Sequence, residues 1–221
     1  MTIYRKIQKF PLLFLLLILL GCNINNSYAA VSGRIDYNSI LFDYSKLDFN
    51  SIKNEADKNF DLYFKSKNKT EKKKYLDLAT NKYYILTKID YSRIEPYIQL
   101  GKIYDYTNHP RLSKESFSKA INIDPKNAYA NFYFGDFYYH RKDYKRALKY
   151  YKIAYNNGLN NKNELNIKLA IIHEKLADLI NAKKFYEISY SIKPDRNIQK
   201  KIQLLNELNY DKSEYYHIIR E

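Results

Sequence analysis

The sequence predicts an all-α fold, an α-solenoid built from stacked helix-turn-helix pairs. Two observations lead to this prediction: similar residues recur every 34 or 35 positions, and apolar residues within each interval lie on one face of a helix. The composition fits such a fold, because 45% hydrophobic and 28% charged residues suit a chain that buries a core. Five glycines and five prolines in 221 residues exclude collagen-like and linker classes.

The repeat is clearest from the segment Tyr97-x-x-Leu100-Gly101-x-x-Tyr104 onward. The same copy continues with Phe117, Ala120 and Pro125. The second copy, 34 positions later, contains Phe134, Gly135, Tyr138, Ala147, Tyr151 and Ala154. The third, offset by a further 35 positions, contains Leu169, Ala170, His173, Ala182, Tyr186, Ser189 and Pro194. The extra residue falls in the Asn-rich stretch 156–163, where a loop is expected.

These residues resemble the tetratricopeptide repeat, a helix-turn-helix unit of about 34 residues with the pattern W-x2-L-G-x2-Y…A-x3-F…P. The departures are Ser113, His173 and the residues at the usual tryptophan position, which are Tyr97, Asn131 and Asn166. The resemblance implies a right-handed α-solenoid in which the first helix of each pair lines a concave groove.

Small residues mark the positions where the two helices of a pair should cross. Gly101, Gly135 and Ala170 carry almost no side chain, so the facing helix can approach closely there. Aromatic side chains are expected to fill the space between successive helices. These are Tyr104, Phe117, Tyr138, Tyr151 and Tyr186.

The repeat and its flanks divide the chain. A helical stripe at 49–65 and a second helix at 70–89 predict a degenerate first pair, with the polar insert 65–69 as a longer turn. A capping helix is predicted by apolar residues at helical spacing, Ile198, Ile202, Leu205 and Leu208. The divisions are a leader (1–21), a polar tether (22–48), the degenerate pair (49–93), three repeats (94–127, 128–162 and 163–196), and the capping helix with a tail (197–221). For residues 210–221, a short helix and an ordered tail are both open.

The first 22 residues have the pattern of a bacterial export signal. Arg5, Lys6 and Lys9 precede the apolar run 12–20, which is shorter than the roughly 20 residues that span a bilayer and fits a signal-peptide h-region. The run ends in Leu19-Leu20-Gly21-Cys22, which resembles the lipobox of bacterial lipoproteins. The resemblance implies cleavage before Cys22 and diacylation of this cysteine, the only one in the chain.

Two alternatives to lipidation stay open. Cys22 also fits a small buried thiol in an apolar helix, and the small-x-small pattern Ser27-Tyr28-Ala29 fits cleavage to a soluble secreted form. If Cys22 is acylated, Asn23 is not the aspartate associated with inner-membrane retention, so the resemblance favours the outer membrane facing the periplasm. In a Gram-positive cell the same signal implies the outer face of the plasma membrane.

No residue pattern indicates catalysis or a cofactor. The four histidines share no metal-ligand spacing, and His173-Glu174 begins like a zincin motif but has Ala177 where the second histidine is required. A single cysteine excludes an internal disulfide and a Cys-rich zinc site. We therefore expect a protein that is not an enzyme and uses no metal, cofactor or small-molecule substrate. The alternative is a composite enzyme subunit, identified by loss of activity on mutating one histidine or carboxylate.

The resemblance implies a binding groove along the first helices. Mapped onto this sequence, the groove residues are Glu95, Ile98, Lys102, Asp105, Tyr106, Tyr129, Phe132, Asp136, Tyr139, His140, Glu164, Ile167, Ile171, Glu174 and Lys175. Family members that bind chaperone C-termini carry a carboxylate clamp in this groove. Here only Lys102 and Lys168 suit an anion, so we do not expect that class of partner.

Two hypotheses account for the aromatic residues of the groove. One helix face carries Tyr129, Phe132, Asp136 and Tyr139. Aromatic rings offer a large contact area with few rotatable bonds, which favours peptide binding. Alternatively, AT-rich coding has filled a tolerant surface with tyrosine, or the tether or tail covers it.

The chain is strongly basic, since 38 Lys and Arg against 24 Asp and Glu give a formal net charge of +14. The densest basic stripe is expected at Lys142, Lys145, Arg146, Lys149 and Lys152. This stripe fits a solvated face, or contact with anionic envelope polymers or lipids. The export signal argues against nucleic acid as a partner.

These features predict a membrane-anchored scaffold of the bacterial envelope that docks peptide or protein partners in its groove. The combination resembles outer-membrane lipoproteins that assist pilus secretins, barrel assembly or peptidoglycan machinery. The alternative is a binder of anionic envelope polymers or lipids through the basic convex face. The sequence leaves the oligomeric state undetermined.

Overall fold

The computed structural model describes residues 44–207. The predicted leader, Cys22, most of the tether and the residues from Leu208 onward lie outside the described residues. A short 3-10 turn, Tyr44–Lys46, precedes the helices. These are α1 (Phe49–Lys65), α2 (Lys69–Ile89), α3 (Glu95–Tyr106), α4 (Pro110–Ile123), α5 (Ala128–His140), α6 (Tyr144–Ala154), α7 (Asn163–Lys175), α8 (Leu179–Ile192) and α9 (Arg196–Glu207). Residues 44–207 contain no strand, which confirms the all-α prediction.

Consecutive helices pack in pairs: α1 with α2, α3 with α4, α5 with α6, and α7 with α8. Each pair also contacts the next, and α9 packs against α8. Ile198 and Leu205 of α9 are buried in the same cluster as Ala182 and Tyr186 of α8. The structure therefore has the stacked pairs and the C-terminal capping helix that the repeat predicts.

The helices of a pair cross at the predicted small residues. A Cβ added to Gly101 would lie 2.6 Å from Cε1 of Phe117, and one added to Gly135 would overlap the ring of Tyr151. At the first crossing, the Ser113 hydroxyl also donates to the carbonyl of Gly101 at 2.9 Å. In the second and third pairs an aromatic ring of the second helix thus lies directly on the backbone of the first. Almost no space is left for a side chain at the crossing.

Two asparagines explain how the repeat tolerates the loss of tryptophan. Asn131 and Asn166 are fully buried. Their side-chain amides donate to carbonyls of the preceding loop, Asn131 to Pro125 at 2.9 Å and Asn166 to Asn160 at 2.7 Å. Each therefore holds the start of a first helix to the loop before it.

His173 occupies the position where the repeat prefers tyrosine, and it lies in the core as expected. The side chain is 3% exposed, and its ring stacks on Phe185 with 5.5 Å between centroids. Its Nδ1 is 2.9 Å from Oδ2 of Asp178. Burial lowers the pKa of His173 despite this carboxylate, so the ring favours its neutral form.

Local sequence signals set the helix boundaries. The side chains of Asp48, Asn68 and Asn127 accept hydrogen bonds from backbone N–H groups in the first turns of α1, α2 and α5. After α6, the segment Tyr155–Leu159 begins as a π-helical turn and leaves helical geometry at Gly158, where φ is 108°. The extra residue between the second and third copies of the repeat therefore lies in a loop, as the Asn-rich stretch 156–163 predicts.

The first pair differs from the expectation. The predicted longer turn is only three residues, 66–68, as short as the equivalent turn 107–109. The extra length is in the helices, because α1 ends nine residues after the crossing residue Ala56 whereas α3 ends five residues after Gly101. At about 1.5 Å per residue, α1 extends roughly 6 Å farther from its crossing point. The first hairpin is thus the longest of the four.

We expect Gly135→Ala to lower the free energy of unfolding by about 2 kcal/mol, because the new Cβ overlaps the Tyr151 ring. Tyr151→Leu alone is also destabilising, since it removes buried ring atoms. The double variant should lose less than the sum of the single losses, because the smaller side chain leaves room for the Cβ. Urea unfolding followed by circular dichroism measures all three. Additive losses would contradict a direct contact between the two residues.

Candidate functional site

The first helices of successive pairs form one continuous surface. On α3, the Nζ of Lys102 lies 5.6 Å from the ring centroid of Phe60 on α1 and 4.7 Å from that of Tyr133 on α5. On α7, the Nζ of Lys168 lies 2.5 Å from Oδ1 of Asp136 on α5. These contacts join α1, α3, α5 and α7 side by side. We call the surface that they form the inner groove.

The structure places the predicted groove residues at three depths. Exposed are Glu95, Tyr106, Tyr129, His140, Glu164 and Lys175. Half-buried are Lys102, Asp105, Asp136, Tyr139, Ile167 and Ile171. Buried are Ile98, Phe132 and Glu174. The last three do not offer their side chains to a partner, and for them the expectation was wrong.

Phe132 belongs to the core rather than to the groove surface. It is 1% exposed, and its ring centroid lies 5.9 Å from that of Tyr151. Two ammonium groups lie over the ring, those of Lys162 and Lys168, at 4.2 and 5.0 Å from the centroid. Helical spacing placed Phe132 on the correct helix face. The ammonium groups of Lys162 and Lys168 cover the Phe132 ring. Because these lysines are distant in sequence, helical spacing within α5 does not predict the contact.

Ile98 and Glu174 are buried for different reasons. Ile98 packs in a cluster with Ala120 and Ala130, between the second and third pairs. Glu174 accepts a hydrogen bond from the Tyr186 hydroxyl at 2.7 Å and one from Nζ of Lys201 at 3.2 Å. Both residues therefore stabilise contacts between helices.

Lys102 is a half-buried cation of the inner groove without a carboxylate partner. Among the described residues, no carboxylate lies within ion-pair distance of its Nζ, and its hydrogen-bond acceptor is Oε1 of Gln99 at 3.1 Å. Burial lowers the pKa of Lys102, and the nearby Lys162 lowers it further. Asp57 acts in the opposite direction without reversing the shift. The ammonium is thus partly desolvated between two aromatic rings.

Lys168, the other cation expected to suit an anion, is already neutralised. Its Nζ contacts Asp136 at 2.5 Å and Glu164 at 2.7 Å. The Tyr151 hydroxyl donates to the same Asp136 oxygen. Burial alone would lower the pKa of Lys168, but the two carboxylates raise it above its ordinary value. Lys168 therefore links α5 to α7 and is not available to a partner's carboxylate.

Asp105 and His140 form a second link, between α3 and α5. Nη1 of Arg141 lies 2.7 Å from Oδ1 of Asp105, and Nδ1 of His140 lies 3.1 Å from Oδ2. Burial would raise the pKa of Asp105, but hydrogen bonds from His140 and Arg141 lower it. The bond to Asp105 raises the pKa of His140. Both predicted groove residues thus serve to join adjacent repeats.

Sequence reasoning missed the contribution of α1. Phe60, Phe64, Lys102 and Asp57 line a cavity of about 410 Å³ at the junction of α1 and α3. Phe64 is 53% exposed, and its ring lies 5.9 Å from that of Tyr106. The longer helices of the first pair shifted it out of the 34-residue register. Ala56 beside Asp57 was the available signal, since these residues correspond to Gly101 beside Lys102.

The described residues present a surface suited to binding another chain. In residues 44–207, no three His, Cys, Asp or Glu side chains come together as a metal site would require. None of the helices in that range is both long and apolar enough to cross a bilayer. The inner groove presents aromatic rings and the unneutralised ammonium of Lys102, which suit contact with another chain.

The basic stripe on α6 is partly neutralised. Arg146 forms an ion pair with Asp143 and lies 4.6 Å from the Tyr138 ring centroid. A basic cluster denser than the predicted stripe surrounds the turn between α1 and α2. We call it the lysine tip, and it consists of Lys65, Lys67, Lys69, Lys72, Lys73 and Lys74.

Stacked helix pairs whose first helices share one exposed groove define a helical-repeat scaffold, a class that binds other proteins. Family models described as tetratricopeptide repeat match residues 94–127 and 116–149. Residues 94–149 therefore contain tetratricopeptide repeats. No curated protein sequence matches it significantly.

Solved structures with the same fold include PilW, PilF and MamA. PilW, described as a widely conserved type IV pilus biogenesis factor, has a TM-score of 0.58 at 18% identity, covering 76% of this chain and 74% of its own. PilF of Pseudomonas aeruginosa has a TM-score of 0.56 at 18% identity, covering 70% and 69%. MamA has a TM-score of 0.55 at 23% identity, covering 67% and 87%. At these identities the likeness shows a shared fold.

We expect Lys102→Met and Lys168→Met to change stability in opposite directions. Lys102→Met should raise the free energy of unfolding by about 1 kcal/mol, because it removes a desolvated charge that lacks a carboxylate partner. Lys168→Met should lower it by about 2 kcal/mol, because Asp136 loses its cation. Thermal and urea unfolding measure both effects. Equal losses for the two variants would contradict the different roles assigned to these lysines.

Proposed function

We propose that this protein is a membrane-anchored scaffold of the bacterial cell envelope, and that it docks peptide or protein partners in the inner groove to assist assembly of an envelope complex. The observation that carries the proposal is the ammonium of Lys102, which has no carboxylate partner in residues 44–207 and lies between the half-buried rings of Phe60 and Tyr133. The other charged groups of the groove interior are used to join repeats. The groove therefore keeps the partly desolvated ammonium of Lys102 available to a ligand.

The aromatic rings suggest how a partner is held. Tyr106 is 68% exposed and Tyr129 is 53% exposed. Tyrosine has few rotatable bonds, so ordering it on binding costs little entropy while burying much surface. A segment carrying apolar side chains and one carboxylate would cover these rings and pair with Lys102. Such a segment matches the groove in both shape and charge.

The type of envelope complex is suggested by fold analogy. PilW is described as a type IV pilus biogenesis factor. A pilus or secretin complex is therefore the first candidate to examine, ahead of barrel assembly and peptidoglycan machinery. The lipobox-like segment ending at Cys22 supports the envelope location and the membrane anchor.

The double substitution Tyr106→Ala plus Tyr129→Ala should reduce partner binding by about 30-fold or more, since exposed aromatic anchors dominate such interfaces. The matched control is Tyr84→Ala plus Tyr91→Ala, two exposed tyrosines on α2 and the following loop. A photo-crosslinker at the position of Lys175 would identify the partner in cells, and titration of the purified partner would measure affinity. Equal binding by both double variants would contradict groove recognition.

The substitution Cys22→Ser should release the protein from membranes, because stable anchoring needs the acyl chains that this cysteine would carry. Fractionation of cells, with mass spectrometry of the mature N-terminus, makes the measurement. Wild-type protein that starts after Ala29 and is recovered without fatty acid would contradict the anchor. Groove binding by the purified protein would be unaffected in either case, so the two parts of the proposal are tested separately.

A further inference from the structure

The lysine tip is the most strongly charged surface in residues 44–207. Its six lysines lie within ten consecutive residues, and the acid among these is Glu71. The Glu71 carboxylate accepts a hydrogen bond from the Ser66 hydroxyl at 2.8 Å. Among the described residues, none of the six ammonium groups lies within ion-pair distance of a carboxylate. The tip therefore presents six positive charges that no ion pair offsets.

Exposed aromatic rings adjoin these charges. Phe64, which directly precedes Lys65, is 53% exposed. Its ring lies 5.0 Å from Tyr63 and 5.9 Å from Tyr106, both measured between centroids. The Nζ of Lys72 lies 5.7 Å from the centroid of Tyr63. A patch of aromatic side chains is thus bordered by ammonium groups.

The tip also projects farther than the equivalent turns. α1 continues nine residues past its crossing residue Ala56, whereas α3 continues five past Gly101. The additional helical turn places Lys65 and the lysines of the turn farther along the first hairpin from its crossing point than the equivalent turn of the second hairpin. The Phe64 ring stays in contact with Tyr106 at the end of α3 and borders these lysines.

We propose that the lysine tip docks on a bilayer surface rich in anionic phospholipids, with Phe64 entering the headgroup region. Ammonium groups on long flexible stems pair with headgroup phosphates without fixed geometry, while an adjacent aromatic ring occupies the apolar boundary below them. A protein partner would need acidic groups in a matching arrangement. The lysine tip, whose long side chains surround the exposed Phe64 ring, does not require such an arrangement of acidic groups.

The size of the effect follows from general membrane electrostatics. Each lysine near an anionic surface contributes an affinity change of about fivefold at low salt. Neutralising three of the six should therefore weaken binding by roughly 100-fold. This inference does not depend on the inner groove or on acylation of Cys22.

The test uses the full chain carrying Cys22→Ser, so that no acyl chain contributes. Flotation compares vesicles of phosphatidylcholine alone with vesicles of equal parts phosphatidylcholine and phosphatidylglycerol. The difference in binding between the two kinds of vesicle measures the electrostatic contribution to affinity. Any apolar contribution of residues 1–21 is the same for both kinds. The tip variant is Lys67→Gln, Lys69→Gln and Lys73→Gln, all exposed positions. The matched control is Lys145→Gln, Lys149→Gln and Lys152→Gln, which removes the same charge from α6.

We expect the tip variant to lose roughly 100-fold in affinity for the anionic vesicles and the control to stay within about threefold of the parent protein. Circular dichroism verifies that both variants remain folded. Equal losses by both variants would overturn the assignment, because net charge alone would then explain binding. Unchanged binding by the tip variant, or equal binding of the parent to neutral and anionic vesicles, would overturn it as well.

Discussion

The close crossing of the two helices in each pair is the contact on which the rest of the structure depends. Phe117 lies against the backbone at Gly101, and Tyr151 does the same at Gly135. Because a ring replaces the side chain that the first helix lacks, the pair is narrow and its second helix is anchored. The opposite face of each first helix is then left to contact the next first helix. The inner groove is a consequence of this arrangement.

The fold was predictable because its determining residues are local and periodic. Glycine or alanine at the crossing and an aromatic ring on the facing helix recur at a constant spacing, so one interval predicts the next. The first pair departs from the rule, since its extra residues lengthen α1 and α2 and leave the turn at three residues. An insertion can be seen in a sequence, but whether helix or turn absorbs it depends on packing. In the first pair, Ala56 packs against Ala79 and Tyr83, and this packing determines that the helices take up the extra residues.

The candidate site was predictable in position but not in depth or pairing. Repeat register places Phe132 and Lys168 on the inner face, yet Phe132 is covered by cations and Lys168 is held by Asp136. Both outcomes depend on side chains from the following repeat, about one interval away. Register alone cannot separate Lys168 from Lys102, although both are lysines on first helices. Only the structure shows which of the two has a carboxylate partner.

Ion pairs join neighbouring repeats along the inner groove, whereas two other parts of the molecule are proposed to bind a protein and a membrane. Along the groove, Asp105 and Asp136 are bound by cations of neighbouring helices, so these charges hold the repeats in register. Among the described residues, charge without such partners includes Lys102, the lysine tip and exposed lysines elsewhere, such as Lys145, Lys149 and Lys175. Because the tip lies on the longest hairpin and Lys102 lies beside its base, one surface can meet a membrane while the other holds a protein. The extra length of the first hairpin therefore separates the surface proposed to meet a membrane from the surface proposed to hold a protein.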